Sequence, residues 1–331
     1  DSPHFLVTDS VVNKLYGEQV FQGLIKAGYK IRRVVVQDGE KSKNINEYAQ
    51  LADEIFSSGM DKHSTIISLG GGVINNVAGF LASTLYRGIN LIHLPSTMMS
   101  QVDAAIDFKQ AINSSKAKNL LGSYYPAMKI VIDPDVLMTL DERHVVNGIS
   151  ESIKQALTQD RGFLEYLSDK SNEISNIEFL ESVIKQTIAM KVPLLNGDVS
   201  DDYNEMVPQY GHSVGHAIEH LSSYCLLHGE ALAIGMCISA EVSLLLGLCD
   251  EEVVCAHYDI MKKYHLPAII PEYITYEDIN NTIQFDKHYL KNAPQMALVK
   301  SIGAIWDDKG VYGIPVDHGI LRRAISINKE R

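Results

Sequence analysis

The sequence predicts two domains, an α/β domain with a doubly wound parallel sheet over residues 1–140 and a helical domain over residues 141–331. Short β-branched runs alternate with helical patterns in the first part of the chain. After about residue 139 strand signals nearly vanish, and apolar residues recur with a helical period. The length of 331 residues also suits about two domains.

Five short apolar runs are predicted as the strands of the first domain, at residues 5–8, 31–37, 64–69, 89–94 and 129–132. Its helices are predicted at residues 11–27, 44–58 and 73–85. Because strands that alternate with helices are joined by right-handed crossovers, the sheet should be parallel. The second domain has helical patterns at residues 179–190, 209–222, 229–246 and 251–264. We expect a ligand in the cleft between the two domains.

Composition and charge limit the classes of function. Apolar residues make up 46% of the chain and charged residues 21%, which is typical of a folded globular protein. The 41 acidic and 29 basic side chains give a net charge of -12. This balance argues against a nucleic-acid partner, because phosphate neutralisation needs clustered Lys and Arg. A local basic pocket could still hold a small anion.

No segment predicts a targeting signal or a membrane span. The most apolar stretch, residues 231–248, is interrupted by Glu241 and is predicted to be a buried helix. The four cysteines form no CxxC pair, which favours a reduced cytoplasmic protein with its thiols packed as small apolar groups. The chain begins at Asp1 and not at Met, so we expect that its true N-terminus is missing.

A glycine-rich turn follows the third predicted strand. The turn between this strand and the next predicted helix consists of Gly70, Gly71 and Gly72. Glycines let backbone N–H groups approach a pyrophosphate, and the N-terminus of the next helix favours an anion. The spacing is not GxGxxG, so the standard dinucleotide fingerprint is excluded. A nucleotide site and a simple tight turn both explain the motif.

Histidines are concentrated between residues 212 and 228. His212, His216 and His220 share one helical face, and His228 opens the next predicted helix. Imidazoles at this spacing suit a divalent ion of the zinc type, which needs one further nitrogen or oxygen ligand. Glu151 is the best candidate for a distant carboxylate ligand.

Lysines, amides and a carboxylate are also spread through a predicted loop between residues 101 and 119. Asp103, Lys109 and Asn119 are examples, and such groups can bind phosphate or sugar oxygens. A solvated basic loop would have the same composition.

The glycine-rich turn, the histidine group and the polar residues between 101 and 119, in this order and spacing, resemble those of the dehydroquinate synthase-like sugar phosphate cyclases. The motifs are Gly-Gly-Gly-Val, Gly-His-x-x-Gly-His and Leu-His-Gly-Glu, and the likeness covers nearly the whole chain. The resemblance implies an N-terminal NAD-binding domain, a C-terminal helical metal-binding domain and a homodimer. It also implies that NAD is reduced and regenerated in each turnover while a sugar phosphate loses phosphate and closes a carbocycle by an aldol step.

Carried over position by position, the resemblance implies one divalent metal, zinc or cobalt, bound by Glu151, His212 and His228. Asn76 replaces the aspartate that the family usually has among its NAD contacts. The positions that match NAD contacts are Asp9, Glu40, Lys43, Gly71, Gly72, Val73, Asn76, Ser96, Thr97, Lys118 and Thr139.

Further positions match residues that handle the substrate. Arg87 matches an arginine that reaches the phosphate in the partner subunit, and His216 is a candidate for proton transfer. The substrate-handling positions are Asp103, Lys109, Asn119, Lys154, Lys191 and His216.

The chain also departs from dehydroquinate synthases. Glu205 stands where they carry the arginine that holds the substrate carboxylate, and Gln209 replaces an asparagine. Lys287 and His288 replace the usual lysine pair. Because an acidic group repels a carboxylate, we expect Glu205 and Gln209 to face a substrate without one.

Two carboxylate-free substrates are known in this family. Glucose 6-phosphate is used by the 2-deoxy-scyllo-inosose synthases and sedoheptulose 7-phosphate by the valiolone-type synthases. Residues 109–113 and the retained Lys191 and His216 favour the inosose synthases, although these usually place Glu where Gln209 stands.

Other classes remain open at this point. Dehydroquinate synthesis itself is one alternative. The chain also resembles the metal-dependent alcohol and polyol dehydrogenases, which share this fold. An enzyme of that class would show net NADH production. A sugar-phosphate sensor without catalytic activity is a third alternative. The intact set of metal and lysine positions argues against it.

Overall fold

The structure, a computed structural model, describes residues 2–114, 118–196, 207–307 and 313–331. The chain divides into two compact units, Asp1–Leu140 at the N-terminus and Asp141–Arg331 at the C-terminus. This boundary agrees with the one at which the sequence changes from alternating strands and helices to helices alone.

The N-terminal unit is built on a parallel sheet. Its strands are β1 His4–Asp9, β2 Ile31–Val36, β3 Thr65–Gly70, β4 Asn90–Pro95, β5 Lys109–Ile112, β6 Leu121–Tyr124 and β7 Lys129–Ile130. Five of them pair side by side in the order β2–β1–β3–β4–β7, and every pair is parallel. The predicted parallel sheet is therefore confirmed, with a shorter last strand than the 129–132 run suggested.

Helices cover both faces of this sheet, as in a doubly wound fold. They are α1 Ser10–Val12, α2 Glu18–Lys26, α3 Ile45–Ser57 and α4 Gly72–Thr84. Apolar side chains of α3 and α4 pack with Phe5 and Ile66 on one face, and those of α2 pack with Leu6 and Ile67 on the other. The predicted helix over residues 11–27 is interrupted by a π-helical turn at Asn13–Gly17.

The carboxyl ends of the parallel strands bring polar residues and turns to one edge of the sheet. β1 ends at Asp9, β3 ends at Gly70 and β4 ends at Pro95. The central strand β3 is buried along its whole length, which explains its run of apolar residues without alternation. A ligand of this sheet is expected at this edge.

The region predicted as a loop between residues 101 and 119 is more ordered than expected. It contains a π-helical turn at Ser100–Ala104 and the strand β5, which pairs with β6 as an antiparallel hairpin. The loop prediction was wrong here because Ala111 and Ile112 are buried, and this apolar pair stabilises a strand despite its polar neighbours.

The C-terminal unit is mainly helical. Its helices are α5 Glu142–Gln159, α6 Arg161–Asp169, α7 Ile177–Leu195, α8 His212–Leu221, α9 His228–Leu245, α10 Glu251–Lys263, α11 Tyr276–Ile283 and α12 His318–Glu330. Short strands also occur, namely β8 Tyr289–Leu290, β9 Ala293–Met296, β10 Val299–Ser301, β11 Ala304–Ile305 and β12 Ile314–Pro315. They escape sequence analysis because two to four residues are too few to show an alternating pattern.

Helix α9 forms the centre of the C-terminal unit. In length and composition His228–Leu245 could cross a membrane, but 83% of it is buried inside this structure. It packs against α5, α8, α10 and α12. The apolar stretch around residues 231–248 is thus a core helix, as its interruption by Glu241 predicts.

Candidate active site

Three helices of the C-terminal unit carry the predicted metal ligands. Glu151 lies on α5 and is completely buried, whereas His212 and His228 are the first residues of α8 and α9. α8 begins at His212 because Gly211 adopts a φ of 78°, outside the helical region. α9 begins at His228 because Leu227 is extended. Each histidine therefore stands at a helix start, and both approach Glu151.

Two distances between donor atoms of these side chains match those between the ligands of a tetrahedral metal ion. Glu151 Oε1 lies 3.4 Å from His212 Nε2 and 3.5 Å from His228 Nε2. Two ligands at about 2.1 Å from a tetrahedral ion are themselves about 3.4 Å apart. Glu151 Oε1 has no hydrogen-bond partner among the described residues, whereas Glu151 Oε2 lies 2.5 Å from Lys154 Nζ. The residues present therefore fit a divalent ion.

The second nitrogen of each histidine ring faces an oxygen acceptor. His212 Nδ1 lies 3.2 Å from the carbonyl oxygen of Tyr210, and His228 Nδ1 lies 3.2 Å from Glu219 Oε2. A ring that donates a hydrogen bond from Nδ1 keeps its lone pair on Nε2, which is the form that binds a metal. These contacts hold both rings with Nε2 toward Glu151.

The two carboxylates of this cluster favour a cation at His228, whereas burial and the Lys154 charge oppose one at His212. Burial raises the pKa of Glu151, but the Lys154 ammonium 2.5 Å away and the two imidazoles outweigh it and hold this pKa well below its usual value. Burial and the Lys154 charge lower the pKa of His212 to about 3. Burial also acts against protonation of His228, yet Glu151 and Glu219 raise its pKa to about 9. Surroundings that stabilise a proton on an enclosed imidazole also stabilise a metal ion.

His216 lies beside the three predicted ligands, and another carboxylate lies near its ring. Ring nitrogens of His212, His216 and His228 lie within 4.8 Å of one another. His216 Nδ1 is 3.8 Å from Asp286 Oδ2, and its side chain is 40% exposed. His288 Nδ1 approaches the other oxygen of Asp286 at 3.2 Å. His216 is therefore accessible at the rim of the cluster and can exchange a proton.

The other predicted residues of the C-terminal unit have different surroundings. Lys154 on α5 and Lys191 on α7 are each 1% exposed. Gln209 comes before α8, and its carbonyl oxygen accepts a hydrogen bond of 2.9 Å from the first N–H of that helix. His220 is exposed and does not join the group of ring nitrogens, although it follows the same helical spacing. Glu205 lies outside the described residues.

The glycine turn of the N-terminal unit lies at the carboxyl end of β3. Gly71 precedes α4, and no described side chain caps the first turn of this helix. A Cβ atom on Gly71 would lie 3.0 Å from Thr97 Cγ2, so the turn is closely covered on that side. Uncapped N–H groups at a helix start suit a pyrophosphate. The residues of this turn therefore fit the phosphates of NAD.

A polar network joins two segments of the same unit. Lys43 Nζ donates a hydrogen bond of 2.5 Å to Asn119 Oδ1, and Asn113 Nδ2 donates one of 2.7 Å to Glu40 Oε1. Lys118 Nζ lies 3.6 Å from the same oxygen of Glu40. The structure thus brings together three of the predicted NAD contacts and Asn119, which was predicted to handle the substrate.

The remaining predicted residues of the N-terminal unit are spread over several of its strands, turns and helices. Asp9 caps α1 by accepting two hydrogen bonds of 2.9 Å from backbone N–H groups in the first turn of that helix. Ser96 Oγ is buried and has no hydrogen-bond partner among the described residues. Thr139 Oγ1 is 2.6 Å from the hydroxyl of Tyr16. Gly72, Val73 and Asn76 lie on α4, Thr97 follows β4, Asp103 lies in the π-helical turn and Lys109 on β5.

Arg87 lies on an unusual turn after α4. Tyr86, Arg87 and Gly88 have φ values of 51°, 65° and 124°, which are all positive. The side chains of Tyr86 and Arg87 are exposed. A left-handed conformation at consecutive non-glycine residues costs free energy.

Comparison with known proteins decides the family. Family models of 3-dehydroquinate synthase match the chain in succession, the N-terminal model at residues 33–147 and the C-terminal model at residues 148–289. The 3-dehydroquinate synthase of Prochlorococcus marinus (strain MIT 9312) is 34% identical over 310 residues, which are 92% of this chain and 85% of that protein. The chain belongs to the 3-dehydroquinate synthase family. It is a phosphate-eliminating cyclase, an enzyme of the lyase type.

Solved structures of 3-dehydroquinate synthase-like cyclases share the fold of the whole chain. A 2-deoxy-scyllo-inosose synthase complexed with carbaglucose-6-phosphate, NAD+ and Co2+ has a TM-score of 0.91 and 28% identity, covering 99% of this chain and 91% of that one. ValA, a 2-epi-5-epi-valiolone synthase from Streptomyces hygroscopicus subsp. jinggangensis 5008 with NAD+ and Zn2+ bound, has a TM-score of 0.91 and 26% identity, covering 100% and 92%.

Sequence reasoning missed several polar residues around this cyclase's histidine cluster. Glu219 lies on α8 three residues after His216, so its position could have been found from the helical spacing. Asp286 lies next to Lys287 and His288, which stand out in the sequence only because they depart from the family pattern. Asn147 lies one helical turn before Glu151, where no sequence signal separates it from any other polar helix residue.

Proposed function

We propose that this member of the family is an NAD- and metal-dependent cyclase of a sugar phosphate that lacks a carboxylate, with glucose 6-phosphate preferred over sedoheptulose 7-phosphate. The metal dependence rests on the distances of 3.4 Å and 3.5 Å from Glu151 Oε1 to His212 Nε2 and His228 Nε2, which suit ligands of one ion. The substrate rests on Glu205, which puts a negative charge where dehydroquinate synthases carry a carboxylate-binding arginine. The equal TM-scores of 0.91 to an inosose synthase and to a valiolone synthase support a substrate of this carboxylate-free class.

The cofactors would be held by residues of different units. Glu151, His212 and His228 would bind the divalent ion, zinc or cobalt. Gly71 and Gly72 would bind the NAD pyrophosphate, with Asp9, Glu40, Lys43, Val73, Asn76, Ser96, Thr97, Lys118 and Thr139 as further NAD contacts. When bound, NAD supplies a reversible hydride acceptor and the divalent ion supplies a Lewis acid.

The chain's own side chains would move protons and hold the phosphate. His216 is partly exposed and its Nδ1 lies 3.8 Å from Asp286 Oδ2, and we propose that it takes up the proton of the hydroxyl that is oxidised. Oxidation to a ketone makes the neighbouring C–H acidic, which allows the phosphate to leave. The ammonium groups of Lys154 and Lys191, with Lys109 and Asn119, would hold phosphate and sugar oxygens. Asp103 and Gln209 would bind hydroxyl groups.

We also propose that the enzyme is a cytoplasmic homodimer in which Arg87 contributes to the partner's site. The exposed left-handed turn at Tyr86 and Arg87 supports a role for this arginine outside its own subunit. All four cysteines lie in the described part of the chain and are free, which suits a reducing compartment. Light scattering of the purified protein tests the assembly, and a monomer would contradict it.

The experiment that tests the substrate measures phosphate release from three compounds. The purified holoenzyme is given glucose 6-phosphate, sedoheptulose 7-phosphate or the heptulosonate phosphate of dehydroquinate synthesis, and products are identified by mass. We expect the fastest release from glucose 6-phosphate, with a product equal to the substrate less phosphoric acid. Faster conversion of the heptulosonate than of either neutral sugar phosphate would overturn the proposal.

Dehydroquinate synthesis is the second candidate, because curated relatives at 34% identity carry that name. The variant Glu205→Arg separates the two functions. If Glu205 contacts a neutral sugar, the variant loses activity on glucose 6-phosphate and gains little on the heptulosonate, since Gln209 and His288 also differ from the dehydroquinate synthases. A large gain on the heptulosonate alone would favour the second candidate.

A further inference from the structure

A row of contacts joins one face of α5 to the start of α9. Its members on α5 are spaced by four residues, so they lie above one another on that helix. Their partners on α9 are three consecutive residues. The pairs are Arg143 with Glu230, Asn147 with Gly229, and Glu151 with His228.

The outermost pair is a bidentate ion pair. Arg143 Nε lies 2.7 Å from Glu230 Oε1, and Arg143 Nη2 lies 2.8 Å from Glu230 Oε2. Glu230 Oε2 also accepts a hydrogen bond of 2.8 Å from the N–H of Leu227, the residue before α9. Arg143 Nη2 reaches the carbonyl of Cys225 at 3.0 Å. The guanidinium group therefore holds the backbone that leads into His228.

The middle pair fixes the distance between the two helices. Asn147 Oδ1 accepts a hydrogen bond of 2.7 Å from the N–H of Gly229, one of the helix-start groups without a partner in the helix itself. A Cβ atom on Gly229 would lie 2.0 Å from the carbonyl oxygen of Asn147 and 2.2 Å from Ser150 Oγ. Only glycine allows this approach, so the backbones of α5 and α9 touch at this point.

The innermost pair consists of two proposed metal ligands. Glu151 and His228 are far apart in sequence, so their 3.5 Å approach depends on how α9 lies against α5. Metal ligands must be held to within about 0.5 Å of the productive geometry. The pairs of Arg143 and Asn147 fix how α9 lies against α5, because these two residues come one and two helical turns before Glu151 on the same face of α5.

We propose that Arg143 and Asn147 are positioning residues for the metal site, although neither touches the ion. They hold the first turn of α9 so that His228 Nε2 faces Glu151 Oε1. The proposal rests on the metal site proposed above.

The test measures the dissociation constant of Zn²⁺ by chelator competition, together with the free energy of unfolding. Asn147→Leu keeps the shape of the side chain and removes its acceptor, and we expect it to weaken Zn²⁺ binding about 10-fold or more. Asn147→Asp retains an acceptor oxygen and should stay within about threefold of the wild-type affinity. His212→Ala provides the reference for loss of a ligand.

The matched control for the outer pair is a second surface ion pair in the same unit. Arg322 Nη2 lies 2.8 Å from Glu277 Oε1, with both side chains about as exposed as that of Arg143. We expect Arg143→Met to weaken Zn²⁺ binding several-fold and Arg322→Met to leave it unchanged. If Asn147→Leu fails to fold, this comparison still decides the matter.

The outcomes separate the two proposals. Absence of stoichiometric Zn²⁺ binding by the wild-type protein would overturn the metal site itself. Zn²⁺ binding by the wild type, with unchanged affinity in Arg143→Met and in folded Asn147→Leu, would overturn only the positioning role. A purely structural role would lower stability without changing the dissociation constant of the folded protein.

Discussion

His93 is a histidine on β4 whose imidazole is kept neutral by burial. Its side chain is completely buried, and its Nδ1 lies 2.6 Å from the hydroxyl of Ser68. Asn75 Nδ2 donates a hydrogen bond of 2.8 Å to the same hydroxyl. Among the described residues His93 Nε2 has no hydrogen-bond partner, and burial lowers the pKa of His93 to about 4. The folded protein therefore keeps this imidazole neutral at neutral pH.

This neutral state predicts a loss of stability in acid. Between the folded pKa of about 4 and the ordinary value of 6.5, the unfolded chain binds more protons than the folded one, so stability falls as the pH falls. Because of His93, the free energy of unfolding falls by about 2 kcal/mol from pH 7 to pH 5. Over this pH interval, we expect the free energy of unfolding measured in urea to fall by about 2 kcal/mol less in His93→Asn than in the wild type.

The exposed His63 of the same unit provides the control. His63→Asn should follow the wild-type dependence on pH. If His93→Asn also followed it, His93 would not be neutral in the folded state.

Individual site residues differ in how well the sequence could predict them. Glu151, His212 and His228 were named from the histidine spacing and from a family resemblance, and the structure brings them together. Asp286 and Asn147 could not be named, because a single Asp or Asn has no pattern of its own. Their positions depend on how distant helices pack, which the sequence does not show directly.

The turn from β3 to α4 is the element that we propose binds the pyrophosphate of NAD. Gly71→Val would put a branched side chain where the backbone must approach a pyrophosphate, and its Cβ would already lie 3.0 Å from Thr97. We expect the NAD affinity measured by calorimetry to fall about 10-fold or more, since the helix-start N–H groups would be blocked. Gly23→Val on α2 is the control, because a Cβ at Gly23 meets nothing within 4 Å. Equal NAD affinity of the two variants would show that the turn does not bind the pyrophosphate.

The predicted elements were most accurate where burial imposes a strong pattern. The strand ending in Gly70 was predicted at 64–69 and observed at Thr65–Gly70, because a central parallel strand is apolar throughout. The hairpin of β5 and β6 was missed, since its polar residues resemble those of a loop. The helix predicted from residue 209 begins at His212, where the positive φ of Gly211 sets the start.

At the scale of the whole molecule, the family resemblance contributed what local patterns could not. The motifs in their order predicted the family, and the family models over residues 33–147 and 148–289 confirm it. Composition alone predicted only an acidic, folded protein of about two domains. The substrate remains a proposal because it depends on a few side chains, above all Glu205, and not on the fold that all these cyclases share.

In the proposed reaction NAD is reduced and reoxidised in every turnover, so the cyclisation involves no net oxidation or reduction. The most direct measurement records inorganic phosphate and NADH together while the holoenzyme converts glucose 6-phosphate. We expect many equivalents of phosphate per enzyme, NADH that never exceeds the enzyme concentration, and loss of turnover when NAD or the divalent metal is removed. NADH that accumulates in step with product, or turnover that continues without NAD, would contradict this account.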